Sequence, residues 1–263
     1  MKHSILHTAL EENGFVKLCG QDYGLSVKCL SLEILEELRE MELSSLPHLQ
    51  AKDLGEYING LHKIDVRDGT HFLSQLYKVL PGLPSLWRFA SNQTLMSIIK
   101  EDLSLTSVSL GTVPLVRLDR PRNEHFSTPW HQDFWFSQSS EDSLVIWFPL
   151  TTFTEDMGYL RVIPKPSEYG IVKFREHKDG HEPYEPAEPV DDNKSINLDC
   201  NFGDILIFKQ SLLHASGKNI SEKVRVSCQL RFNKMHTQEQ GFSTFTAVHS
   251  DFVLDGQNNY KVI

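Results

Sequence analysis

Three His-x-Asp triplets stand in the chain: His131-Gln132-Asp133, His177-Lys178-Asp179 and His249-Ser250-Asp251. An imidazole and a carboxylate two residues apart make a metal-ligand pair when the backbone between them is extended, because i and i+2 then share a face. On a helix the same two groups diverge by about 200°. Twelve histidines and sixteen aspartates placed at random give roughly 0.7 such triplets, so setting has to choose among them. His131 and Asp133 sit in TPWHQDFWF, the most strand-like of the three settings. His177 and Asp179 lie in a polar stretch broken by Gly and Pro, and the residues after Asp251 include no His or Cys to complete a site. Those two triplets read as polar surface.

A third ligand has to come from elsewhere in the chain. His214 follows the apolar segment GDILIFKQSLL, just before a turn at Ser216-Gly217-Lys218-Asn219. Two imidazoles and one carboxylate on one face of a metal leave open positions opposite. This is the ligand set of non-heme iron(II) oxygenases, whereas zinc and manganese sites tend to use others. Further on, Val224, Val226, Cys228, Leu230 and Phe232 alternate with Arg225, Ser227, Gln229 and Arg231. One face of that strand is apolar and the other polar. The polar face either meets solvent or lines a polar cavity, where Arg225 would offer a planar fork of donors to a carboxylate.

These residues need elements to hold them. The first hundred residues read mostly helical. Ser31 is a candidate N-cap for a helix through Ile34, Leu35, Leu38 and Met41, with Pro47 as a limit; further helices are expected over 70–80 and 91–103. After residue 104 short apolar runs recur, with strands expected at 113–118, 130–136, 143–149, 160–163, 205–208, 212–214 and 223–232. That texture implies a mainly β (α+β) fold, a sandwich or jelly roll at 105–235 with N-terminal flanking helices at 1–104. Pro183, Pro186, Pro189 and Gly180 make 173–197 a candidate lid loop. With no repeat and no linker, one domain over 1–263 is the economical organisation.

Composition bounds the class. The chain is 40% hydrophobic and 23% charged, as for an ordinary globular protein. Its net charge of −9 argues against general affinity for nucleic acid or anionic membranes, so a small-molecule substrate is the expected partner. Cys19, Cys29, Cys200 and Cys228 are scattered with no C-x-x-C pair, which suits a reducing compartment. No apolar run resembles a signal peptide or a membrane span, and a cytoplasmic location is the expectation. The oligomeric state is not encoded in any of this.

WHQD at 130–133, GYLRVIP at 158–164 and GDILIFKQSLLHASGKNISEKVR at 203–225 together resemble the phytanoyl-CoA dioxygenase family of 2-oxoglutarate oxygenases. ENGFVKL at 12–18 is similar to that family's opening helix-to-strand turn. The spacing of His214, Ser216, Asn219 and Arg225 carries most of the likeness; Met157 and Tyr159 depart from the family's Asn and Cys. The resemblance implies a double-stranded β-helix, a cupin-like barrel. It implies iron(II) held by His131, Asp133 and His214, and 2-oxoglutarate and O2 as cosubstrates. Arg225 would clamp the distal carboxylate of 2-oxoglutarate with Ser216 assisting, and Trp147 would pack beside it. Related halogenases carry a small residue where Asp133 stands, so the aspartate points to hydroxylation or a related oxidation. The family's name does not fix the substrate, since the acidity of 173–197 disfavours a coenzyme A thioester.

Arg117, Arg120 and Arg122 cluster upstream of the metal triplet. They read either as a solvated turn paired with Asp119 and Glu124 or, at Arg117 and Arg120, as an anchor for an acidic substrate. Trp130, Phe134 and Trp135 read as packing, with Trp135 a candidate to stack on substrate. His125, His177, His181 and His236 are candidates to border the substrate space. Beside a dioxygenase acting on a small polar metabolite or carbohydrate-type intermediate stand two alternatives: a cupin-like isomerase or hydrolase that does not use 2-oxoglutarate, and a non-catalytic barrel that only binds.

Overall fold

In the computed structural model, the chain opens with α1 (Ile5–Asn13). Ser4 caps it by accepting from His7 N, and Gly14 ends it in a left-handed conformation (φ 81°) that L side chains rarely adopt. The turn delivers β1 (Phe15–Cys19) straight into a sheet. The structure describes residues 4–41, 46–47, 49–123, 127–137, 140–164, 170–175, 185–234, 252–254 and 260–262. Five more helices follow: α2 (Val27–Glu40), α3 (Leu54–Asp68), α4 (Phe72–Val79), α5 (Pro84–Ala90) and α6 (Gln93–Ser97).

The expected cap lies elsewhere. Ser26, not Ser31, caps α2 by accepting from Cys29 N, because the apolar stripe reaches back to Val27 and Leu30; Ser31 is buried inside the helix. Asn92 caps α6. Helices α3 and α5 were not anticipated. Asp53 starts α3 by accepting from Glu56 N, while the Glu56 carboxylate reaches back to Lys52 N.

The strands are β2 (Val108–Leu110), β3 (Leu115–Asp119), β4 (Leu144–Pro149), β5 (Leu160–Val162), β6 (Phe174–Arg175), β7 (Glu185–Pro186), β8 (Ile196–Leu198), β9 (Asp204–Lys209), β10 (His214–Ser216), β11 (Arg225–Lys234), β12 (Phe252–Leu254) and β13 (Tyr260–Val262). The larger antiparallel sheet runs β1-β9-β4-β11-β2, with β3 also paired to β11. A smaller sheet runs β10-β5-β8. Two sheets with helices on one side make the jelly-roll architecture expected from the strand texture.

Each long strand of the larger sheet is buried on both faces. Leu144, Ile146 and Phe148 of β4, Ile205 and Ile207 of β9, and Val226, Cys228, Leu230 and Phe232 of β11 pack in one cluster with the helices. The alternate residues Val145, Trp147, Leu206 and Phe208 join Leu160, Val162 and Leu198 of the smaller sheet in a second cluster. The inward face of β11 is different: it carries Arg225, Ser227, Gln229 and Arg231. The first three are buried, so the polar face meets an interior and not solvent.

Two expectations are corrected here. Residues 130–136 form no continuous strand: His131 makes one bridge with His214, and Phe134–Ser137 turn into a short helix. The aromatic residues that make the stretch look β-like fill space around that turn. The candidate lid is partly framework, since β8 pairs with β5 in the smaller sheet; residues 176–184 of it lie outside the described residues. So do the other two triplets (His177, Asp179, His249, Asp251), together with Glu124, His125, His181 and His236. No described helix is long and apolar enough to cross a membrane.

One carboxylate organises the helical layer. Asp65, near the end of α3, accepts from Thr70 Oγ1 (2.7 Å), Phe72 N (2.7 Å) and Leu73 N (3.0 Å), capping α4, whose own N-cap His71 makes no side-chain bond. Burial pushes the Asp65 carboxyl up, but these three bonds outweigh it and the net shift is down. A depressed folded-state pKa contributes stability above the unfolded carboxyl value, lost as pH falls through the folded one. Asp65→Ala should therefore lower unfolding free energy by about 1–3 kcal/mol at neutral pH. In urea titrations the gap between wild type and variant should shrink as pH drops below about 4; a gap independent of pH would refute the assignment.

Candidate metal centre

His131 and His214 face each other across their bridge, with His131 N donating to His214 O and the reverse, both at 2.9 Å. Their rings lie 4.1 Å apart by centroid. Each ring is locked from behind: His131 Nδ1 contacts Pro129 O (2.8 Å) and His214 Nδ1 contacts Leu212 O (2.9 Å). A carbonyl only accepts, so both Nδ1 atoms carry the proton and both Nε2 lone pairs point forward.

Between them stands Asp133. Its turn is made by Trp135 N donating to Gln132 O and Phe136 N to Asp133 O, and Phe134 N reaches Gln210 O. His131 Nε2 lies 3.7 Å from Asp133 Oδ1, and His214 Nε2 lies 4.0 Å from Oδ2. One donor atom from each residue falls within 4.8 Å of the others. Among the described residues this is the one such cluster of three or more His, Cys, Asp or Glu.

Protonation matches what a cation requires. Burial pulls His131 down to about 3, and His214 reinforces it; burial likewise lowers His214. Burial pushes Asp133 up, but Arg231 and the two imidazoles hold it below the usual carboxylate range. At neutral pH the set is therefore two neutral imidazoles and one anion, ready for a divalent metal without proton release. Asp133 Oδ1 accepts from Arg231 Nη2 at 2.9 Å, while Oδ2 is buried without a hydrogen-bond partner. A buried carboxylate oxygen with nothing to accept is costly, and a cation bound between the histidines would satisfy it. The residues present fit a metal.

A small cavity opens beside the cluster, lined by Arg117, Asp119, His131, Trp147, Leu160, His214, Ser216, Arg225, Ser227 and Gln229. Arg225 is buried and held on two sides. Its Nε and Nη2 lie 2.8 and 2.7 Å from Asp119 Oδ2, and Nη1 donates to the carbonyls of Met157, Gly158 and Gly217. Those carbonyls converge because Gly158 and Gly217 touch backbone to backbone: a Cβ on Gly158 would sit 2.5 Å from Gly217 C. Asn219 sets the approach, donating to Asp119 O (2.9 Å) and Lys223 O (2.8 Å) and so fixing the turn before Arg225. The spacing from His214 to Arg225 is thus the length of a short strand, a stapled turn and a return.

Of the residues singled out for substrate, Arg117 lines the cavity. It pairs with Asp119 Oδ1 (2.9 Å) and donates to Thr128 Oγ1. Arg120 is not among the lining residues and donates to Ser74 Oγ of α4. Trp135 is buried, donates from Nε1 to Val172 O and packs on Phe174. Arg122 pairs with Glu222 at the exposed surface. Sequence reasoning did not assign roles to Arg231 or Gln132, and it paired Asp119 with the neighbouring arginines but not with Arg225. Only Arg231 left a signal, as the fourth residue of the polar face of β11.

Residues 48–227 match the family model described as phytanoyl-CoA dioxygenase (PhyH). The chain belongs to that family. Its structure is similar to SnoN, a non-heme α-ketoglutarate-dependent epimerase from nogalamycin biosynthesis (15% identity, 86% of this chain and 80% of that one, TM-score 0.53). It is also similar to EvdO2 from Micromonospora carbonacea var. aurantiaca complexed with 2-oxoglutarate (16%, 91% and 95%, 0.55). A third likeness is to ThoJ, a non-heme monooxygenase (15%, 92% and 86%, 0.56). At these identities the likeness shows the shared jelly-roll fold. No curated protein matches the sequence. Family and donor cluster together mark an enzyme of the iron- and 2-oxoglutarate-dependent oxygenase type, with iron(II), 2-oxoglutarate and O2 as its cofactors.

Gln132, between two members of the cluster, is fully buried. It donates to Gly170 O (2.8 Å) and Ser211 O (2.5 Å) and accepts from Val172 N (2.9 Å). Gln132→Met keeps the volume and strands three backbone groups, which should cost about 1–3 kcal/mol. In urea unfolding of the metal-free protein, an unchanged midpoint would show that this staple does not hold the metal loop.

Proposed function

We propose that the chain hydroxylates a small polar metabolite or carbohydrate-type intermediate, with His131, Asp133 and His214 as the iron ligands. The observation that carries this reading is the meeting of two forward-facing Nε2 atoms with an unpartnered carboxylate oxygen beside a polar cavity. When bound, iron(II) with 2-oxoglutarate and O2 supplies the oxidising power, releasing succinate and CO2. The chain's own residues do the placing. His131 and His214 hold their tautomers through backbone carbonyls, so neither ring is free to turn away. Arg225 receives the distal carboxylate of 2-oxoglutarate, Ser216 adds a hydroxyl at the same wall, and Trp147 closes one side. Asp119 already engages Arg225, so an arriving carboxylate competes with it, and that competition sets cosubstrate affinity. Phe208, edge-on to His214 with centroids 4.9 Å apart, keeps water from the rear of the ligand set. Arg117, at the cavity wall, is the substrate-contacting residue among those singled out. A cytoplasmic location fits a chain with these scattered cysteines.

Anaerobic addition of iron(II) and 2-oxoglutarate to the metal-free protein should produce a visible charge-transfer band that His131→Ala lacks. Folded, iron-bound protein without the band would overturn the reading. Arg225→Ala removes a charge-assisted bond, so half-saturation of the band should need about 10- to 100-fold more 2-oxoglutarate. An unchanged requirement would end the clamp assignment.

A further inference from the structure

Asp133 has two oxygens, and the structure treats them differently. Oδ1 accepts from Arg231 Nη2 at 2.9 Å; Oδ2, buried, accepts from nothing. The same Nη2 donates to Gln229 Oε1 at 3.0 Å. Arg231 is itself strained for partners, since its Nε is buried and unsatisfied. A guanidinium held at that cost is held for a reason other than its own solvation.

We propose that Arg231 is a positioning residue that makes Asp133 a one-oxygen ligand: it occupies Oδ1, leaving Oδ2 alone to face the metal, while Gln229 steadies Arg231. The inference rests on the triad being the metal site. A carboxylate free to rotate takes divalent metals through one oxygen or two. Two imidazoles and one oxygen leave three positions on a six-coordinate metal, enough for a chelating keto acid and O2 together. With both carboxylate oxygens bound only two remain, so the keto acid and O2 fit together only if the second oxygen is displaced, at a cost to keto acid binding. Arg231 does not serve metal affinity, because a fixed cation beside a ligand oxygen repels a dication. Its value lies in the coordination positions it keeps open. The geometry across β11 supports this, since Gln229 and Arg231 are consecutive inward residues and Gln229 also lines the cavity. One strand face therefore touches both the ligand and the space beside it.

The test uses the full chain, metal-free, as wild type and Arg231→Met. Cobalt(II) is titrated anaerobically while its d–d bands are followed, and 2-oxoglutarate is then added to the loaded protein. Arg231→Met should bind cobalt(II) at least as tightly as wild type, with an altered d–d spectrum, and 2-oxoglutarate at least tenfold more weakly. A purely structural role would weaken both together. An unchanged spectrum with unchanged 2-oxoglutarate affinity, or loss of cobalt(II) along with 2-oxoglutarate, would overturn the proposal. Arg231→Gln keeps a donor without the charge and carries the test if Arg231→Met does not fold; the same two signs are expected at smaller size. Wild type that binds cobalt(II) no better than His131→Ala removes the triad reading, and this inference with it. Wild type that binds while Arg231→Met behaves identically removes this inference alone.

Discussion

A charge taken out of water must have a counter-charge beside it, and β11 turns two arginines inward. Arg225 meets Asp119 at the end of β3, and Arg231 meets Asp133 in the metal turn. These pairs are weak evidence for stability, since buried ion pairs lose in desolvation much of what they gain in attraction. What they supply is registry. Arg225 lies opposite Asp119 in the β3–β11 ladder, and a slip of one residue would turn all four polar side chains into the apolar helical layer. The two arginines stand six positions apart, about 20 Å along an extended chain. One strand thus sets the distance between Asp133 and Arg225, the two ends of the site as proposed.

Much of this was legible in the residues, for reasons that differ from element to element. The alternation in β11 was visible because its period is two and nothing interrupts it. Which way the polar face looks was not visible, because that depends on the smaller sheet closing over it. His214 was found because a turn follows an apolar run. Helix α3 was missed because it begins at an Asp53–Glu56 cap after a stretch with no clear stripe, and its buried face became evident only against α4. The metal triplet was chosen on an extended-strand argument, yet only His131 makes a bridge. His131 and Asp133 converge through a turn held by Phe134 N and Gln210 O. Contacts remote in sequence, such as Asp133 with Arg231, leave no local trace.

The motif spacing has a mechanical explanation beyond resemblance. From His214 the chain runs out along β10, passes Gly217 where it touches Gly158, and is turned by Asn219 before Arg225. A side chain at Gly158 or Gly217 would hold the two backbones apart and remove the carbonyls that surround Arg225 Nη1. Ser216 falls two residues after His214, so both side chains share the cavity face of one strand. Each fixed position in the motif is thereby a constraint on backbone approach, strand face or turn closure.

The charge balance of the interior bears on how cofactors enter. Arg231 and Asp133 are neutral as a pair before anything binds, whereas Asp119 answers both Arg225 and Arg117, so the lining carries one net positive charge. A divalent metal and a dicarboxylate add equal and opposite charges, so their arrival together leaves that balance unchanged. The metal alone would add to that positive charge in a low-dielectric space, where it is expensive, and the dicarboxylate offsets it. The neutral imidazoles contribute nothing to the sum, which is why burial that keeps them uncharged matters as much as their direction. Metal and cosubstrate should therefore bind with positive coupling, each lowering the electrostatic cost of the other. On this account the internal ion pairs need not break for reasons of charge when the site fills; they have only to make room.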